Sequence, residues 1–316
     1  MHDPWPIVDS VTGVFLIILI GAFARKIRWL NQESDKSLAN LTTNVLLPAY
    51  FVQKILLGDH PGITEQLWAA PLWGFATTTL GFLISYLVAK KIGPKIGLVS
   101  DGSQRVFALC VGVCNFGFIP LPLAEQYFPN ALVDLILHNV GVNLALWSIG
   151  IVIISGSLRS GWRKAVLNPP FLSVVFAMLC EQQGVAETIP PFAKAVLESV
   201  GTCAIPMGLI LSGAIMVDFL NEASWRGSFR ICFAAISLRH FLFPLLMLTA
   251  CTLLSRSDTI RQVILLQAAM PTAILPIVIV KLYDHDMETA LRVVIVSSMV
   301  GVVTIPVWLM LGAEWI

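Results

Sequence analysis

The sequence predicts an all-α membrane protein of ten transmembrane helices in two inverted five-helix repeats, and three observations carry that prediction. Of its 316 residues 57% are hydrophobic and only 12% charged, with a mean hydropathy of +0.82; soluble domains carry about a quarter charged residues. Ten apolar segments approach the roughly 20 residues that a spanning helix needs, with short polar breaks between them. Lys and Arg are also unevenly spread: of the twenty, fifteen fall in odd-numbered connections, four in even-numbered ones, and Arg239 inside a segment. Positive loops stay cytoplasmic, so a multi-pass protein of the cell (inner) membrane with both termini on the outer face is expected.

The segments follow in order. The first, 7–26, has its positive residues after the apolar run, the reverse of a secretory leader, and is expected to stay as a span. The second, 37–57, contains Asn44-Val45-Leu46-Leu47-Pro48. Segments 67–90, 105–128 and 131–155 complete the first half. The sixth, 169–182, is the shortest, and the seventh, 191–218, carries Thr202-Cys203-Ala204-Ile205-Pro206. Segments 229–254, 260–283 and 288–312 end the chain. A cut in the loop near 159–167 gives two halves, 1–157 and 158–316, that begin on opposite faces of the membrane. Pro48 and Pro206 each follow a polar residue by four positions, a matched helix break in segments two and seven.

The fourth and ninth segments are interrupted more deeply. Asn115-Phe116-Gly117-Phe118-Ile119-Pro120-Leu121-Pro122 lies in one and Gln267-Ala268-Ala269-Met270-Pro271-Thr272-Ala273-Ile274-Leu275-Pro276 in the other. Proline removes a backbone donor and clashes with the preceding turn, and backbone freed inside a membrane is tolerated only against protein or a water-filled cavity. Paired broken segments in corresponding halves point to a transporter's binding site. Half-helix N-termini meeting at the prolines would aim N–H groups and positive dipole ends at one point, which favours an anion. The competing reading is that the prolines only kink helices for packing.

Several polar residues stand near these breaks. Asn115 can donate and accept, and Gly117 allows close approach of a ligand. Asn139 and Asn143, four apart on one helical face, could line the same cavity or hydrogen-bond between helices, as could His138. Arg239, ten residues into its segment with His240 beside it, is expensive at that depth. It could bind a substrate carboxylate bidentately, satisfy loose carbonyls of a broken helix, or pair with Glu125 or Glu198. Gln267 and Gln53 are further candidates.

The net charge of +1 gives no reason to expect nucleic acid. The six cysteines have no zinc-ligand spacing and read as small buried residues, so no metal site and no cofactor is expected beyond a coupling proton or sodium ion. No phosphate loop, metalloprotease motif or hydrolase constellation occurs, so the chain does not read as an enzyme. No adjacent aspartate pair sits mid-membrane to serve a sodium/proton antiporter.

The stretch Asn115 to Pro122 resembles the Asn-x-Gly-Phe…Pro signature of the auxin efflux carrier family, which includes plant PIN transporters and bacterial malonate-type permeases. The similarity continues in Asn44 to Pro48, in Ala269-Met270-Pro271-Thr272-Ala273, and from Tyr283 through Ala290 to Thr304-Ile305-Pro306. The resemblance implies a scaffold bundle of spans 1, 2, 6 and 7 and a transport bundle of spans 3–5 and 8–10. It also implies an organic anion bound where spans 4 and 9 cross, an elevator-like movement, and a homodimer through the scaffold. By analogy Asn115, Pro122 and Pro271 take the crossover roles and Asn139 or Asn143 contacts substrate. Pro120 stands where that family usually has glycine, and Pro276 is an additional proline. The long cytoplasmic loop of the plant exporters is absent, so the likeness is to the compact bacterial branch. A bile-acid-type sodium symporter and a non-transporting membrane sensor or scaffold are the alternative expectations.

Overall fold

The computed structural model describes residues 5–58, 68–156, 167–222, 225 and 229–312. Every regular element among them is helical. They are α1 (Trp5–Lys26), α2 (Gln32–Leu41), α3 (Leu47–Leu56), α4 (Ala69–Ile96), α5 (Asp101–Gly112), α6 (Pro120–Tyr127), α7 (Leu132–Ala145) and α8 (Ile151–Ser155). Then come α9 (Pro169–Gln182), α10 (Pro191–Thr202), α11 (Ala204–Glu222), α12 (Phe229–Ile236), α13 (Phe243–Leu254), α14 (Asp258–Ala269), α15 (Leu275–Leu282) and α16 (Met287–Gly312). Wider π-type turns join α2 to α3 (Thr42–Leu46), α7 to α8 (Leu146–Gly150) and α12 to α13 (Ser237–Leu242).

Among the described residues, six helical stretches are long and apolar enough to cross a membrane: Trp5–Lys26, Ala69–Ile96, Pro129–Ser155, Pro191–Glu222, Phe229–Leu254 and Met287–Gly312. Their outward faces are greasy. In α1, Leu16, Leu19, Ile20 and Phe23 are all more than half exposed, an apolar face that a protein in water does not leave uncovered.

Local chemistry sets the helix ends. Asn31, Ser100, Asn168 and Ser257 accept hydrogen bonds from backbone N–H groups three residues on, satisfying donors that the first turn leaves over. Gly97 ends α4 at φ 106°, a conformation that glycine adopts without a steric penalty. The third segment is therefore longer than expected: α4 runs on through Lys90, Lys91 and Lys95, which composition alone assigned to a loop. Likewise α5 starts at Asp101 rather than Arg105, because Ser100 caps it. Arg292 lies inside α16, paired with Glu288 one turn away. The cut between residues 157 and 158, and Arg159, Arg163, Lys164 and Arg226, lie outside the described residues.

Packing relies on glycine at two helix pairs. A Cβ on Gly21 would lie 1.9 Å from the Ile210 carbonyl oxygen, and one on Gly213 would lie 1.8 Å from that of Ile18, so α1 and α11 approach backbone to backbone. The same exchange joins α4 to α7, through Gly74 against the His138 oxygen (2.1 Å) and Gly141 against the Pro71 oxygen (1.9 Å). Small residues allow this approach where water supplies no drive for association. Elsewhere α3 packs on α9 and α10, α4 on α5, α13 on α14, and α16 on α5, α12 and α14.

Candidate functional site

The two interrupted stretches cross and bond to each other. Between α5 and α6 the chain turns extended at Val113, and between α14 and α15 it does so at Met270. The strands so formed are only a few residues long. Asn115 N–H donates to the Pro271 carbonyl (2.7 Å) and Ala273 N–H to the Val113 carbonyl (3.2 Å), an antiparallel bridge centred on Cys114 and Thr272. Backbone groups freed by one break are thus satisfied by the other, which meets the accounting that buried amides impose.

The prolines start the second half-helices instead of interrupting them. Pro120 occupies the first turn of α6 and Pro276 that of α15, positions where a missing N–H costs nothing and the fixed φ suits a helix. The N–H groups expected at the crossing are fewer on this side: with Pro120 and Pro122 both in the first turn of α6, two of its four donors do not exist. The half-helix dipoles remain.

Behind the bridge lies a buried polar network. Arg239, 2% exposed, donates through Nε to the Met270 carbonyl (3.0 Å) and through Nη2 to that of Gln267 (3.2 Å), and its guanidinium lies 5.6 Å from the Phe243 ring centre. The pairings considered for it are not made: Glu125 bonds Lys54 at 2.8 Å, and Glu198 is exposed on α10. Gln267 is fully buried. Its Nε2 donates to Asn139 Oδ1 (3.1 Å), and its Oε1 accepts from the Cys114 thiol (3.0 Å). Asn143 is half-buried one turn further along α7.

Thr272 N–H donates to Ser297 Oγ (2.9 Å), which also meets His240 Nε2 (2.9 Å), and His240 Nδ1 meets Thr304 Oγ1 (2.8 Å). Pro244 lacks the N–H that would reach the His240 carbonyl. The Trp308 indole fills the vacancy at 2.8 Å.

Composition and spacing pointed to Asn115, Asn139, Arg239 and Gln267, but not to Cys114, Thr272, Ser297, Thr304 or Trp308. One signal was available for two of these, since Ser297 and Thr304 are seven residues apart and so share a face of α16.

The other side of the bridge is open. Residues Asn115 to Phe118 are only partly buried. Asn115 Oδ1 accepts a long bond from Gly117 N–H (3.4 Å), while among the described residues its Nδ2 donates to none. A Cβ added to Gly117 would meet nothing within 4 Å. Phe118 reaches across to α11, where a Cβ on Gly208 would come within 2.1 Å of its ring. Pro48 and Pro206 stand near the starts of α3 and α11.

With that geometry in view, comparison with known proteins is decisive. A family model described as "Membrane transport protein", that of the auxin efflux carrier-like proteins, matches residues 6–161 and 152–309. The chain belongs to this family. It is 26% identical over 304 residues to an uncharacterized transporter of Methanothermobacter thermautotrophicus, covering 95% of this chain and 96% of that one. A second uncharacterized transporter, from Methanocaldococcus jannaschii, is 21% identical over 308 residues, with 95% and 97% covered. This auxin efflux carrier-like protein is therefore a multi-pass membrane protein of a transporter family, not of an enzyme family.

Proposed function

We propose that the protein is a secondary active transporter of a small organic anion, a carboxylate, with its substrate at the crossing of the two interrupted helices. The observation that carries this reading is the Cys114–Thr272 bridge, held by protein on one side and open at Asn115 and Gly117 on the other. Asn115 offers an unengaged amide donor there, and the N-termini of α6 and α15 bias the same region toward negative charge. Asn139 and Gln267 act one layer behind, with Asn143 one turn further along α7. Arg239 contributes its charge through the carbonyls that it holds.

On this reading ten spans form two inverted halves, 1–157 and 158–316. Helices α1–α3 and α9–α11 make the scaffold, and α4–α8 with α12–α16 make a transport bundle that shifts in an elevator-like movement. The packing of α1 on α11 and of α4 on α7 supports that division. The protein sits in the cell (inner) membrane with both termini outside, pairs as a homodimer through its scaffold, and draws on a proton or sodium gradient.

Flux of labelled malonate and related carboxylates into proteoliposomes, under imposed proton and sodium gradients, tests the reading. Wild type is expected to carry a carboxylate and Asn115→Ala to lose that flux while remaining folded. Strict dependence on sodium would instead favour a bile-acid-type symporter. Binding without flux would favour a membrane sensor.

A further inference from the structure

Arg239 is a costly residue by position, and its partners define what it does. A guanidinium keeps its proton under all ordinary conditions. Here it is 2% exposed inside the stretch Phe229–Leu254, long and apolar enough to span a membrane. A cation so buried normally faces a carboxylate, yet among the described residues no Asp or Glu pairs with Arg239. Its hydrogen bonds go to the Gln267 and Met270 carbonyls, which lie at the C-terminal end of α14. That end carries the negative pole of the half-helix; the Gln267 carbonyl also accepts from the Met270 N–H (3.3 Å), and the Met270 carbonyl lies past the last helical turn.

In transporters with discontinuous helices, unwound carbonyls and half-helix C-termini are where a coupling sodium ion is coordinated. We infer that Arg239 is a resident cation: it fills, by a covalently tethered guanidinium, the role at the broken α14 end that a sodium ion would fill, so anion binding and movement need no sodium. The π-type turn Ser237–Leu242 and the Pro244 that follows it set the guanidinium there, with the Trp308 indole holding the loosened His240 carbonyl. The fixed positive charge lies behind the Cys114–Thr272 bridge, so a carboxylate on the open side neutralises a charge that the empty protein carries unpaired. Arg239 is on this account a positioning residue, acting through the backbone of the α14 break.

The inference rests on the proposed anion site only for the identity of the cargo, and the test separates the two. Purified wild type, Arg239→Lys and Arg239→Gln, each checked for a monodisperse fold in detergent, are melted in sodium chloride and in choline chloride at equal ionic strength. Each melt is repeated with added malonate as its choline salt. Wild type is expected to melt at the same temperature in both salts and to bind malonate equally well, within about twofold, with and without sodium. Arg239→Lys, which keeps the charge, should stay within about tenfold of wild type. Arg239→Gln, which keeps one donor and loses the charge, should bind at least about tenfold more weakly in either salt.

Sodium-dependent stabilisation of wild type would overturn the inference, as would folded Arg239→Gln binding malonate like wild type. If malonate binds to none of the three proteins, the carboxylate reading falls on its own. The sodium comparison of wild type still decides the resident cation, with an unchanged melt supporting it and a raised melt refuting it.

Discussion

The two chain breaks that meet at the crossing are built to opposite specifications. Around Asn115 to Phe118 the backbone is partly exposed, Gly117 has empty space beside it, and the one side-chain bond is long. Around Met270 to Ala273 everything is buried. Arg239 holds the Met270 carbonyl, Ser297 takes the Thr272 N–H, and Pro271 lies so close to Gly301 that a Cβ there would stand 3.2 Å from its ring. One break is a wall and the other a face. Two interruptions that look equivalent in sequence thus divide the work: the second is pinned so that the first can stay open without the crossing falling apart.

That contrast can be broken from either side. The largest effect on folding is expected from Ser297→Ala, which removes the acceptor of the Thr272 N–H and the partner of His240 Nε2 together. Two buried groups left unmatched cost about 1–3 kcal/mol each, so melting in detergent should fall clearly and binding should weaken with it. Asn115→Ala should do the reverse, lowering carboxylate flux by about tenfold or more, as expected for losing a hydrogen bond to a charged group. Its melting should stay close to wild type, because the side chain supports little of the fold.

Gly301→Ala sharpens the wall side. The added methyl must displace the Pro271 ring by a few tenths of an ångström, and a modest loss of about 1 kcal/mol is expected, read as a small drop in melting temperature. The smallest effect on stability is expected at the face. Gly117→Ala meets no neighbour and should change stability by no more than about 0.5 kcal/mol, while the methyl intrudes on the proposed anion position and reduces binding. If Gly117→Ala melted far below wild type while Gly301→Ala was silent, the assignment of wall and face would be reversed.

Much of this was legible in the chain. The interruptions at 113–122 and 267–276, the cost of Arg239, and the interest of Asn139 and Gln267 follow from polar groups and prolines set in apolar runs, since a membrane permits such groups only for a reason. The family signature followed from the same stretches. Helix ends were less legible: Lys90, Lys91 and Lys95 read as loop, yet α4 runs through them to Gly97 because charged side chains at a helix end can reach the membrane surface.

By itself the sequence determined that the chain is a helical membrane protein, where its helices break, and which transporter family it belongs to, because hydropathy and backbone donors are properties of each residue in order. Only the tertiary structure decided what those breaks are bonded to. Arg239 was open to substrate, carboxylate or carbonyl; the fold joins it to the α14 carbonyls because α12–α14 bring the guanidinium within 3.2 Å of them and leave Glu125 with Lys54. Ser297 and Thr304 acquire their roles only when α16 lies against His240. A hydrogen bond between residues dozens of positions apart is a fact about packing, and no local pattern encodes it.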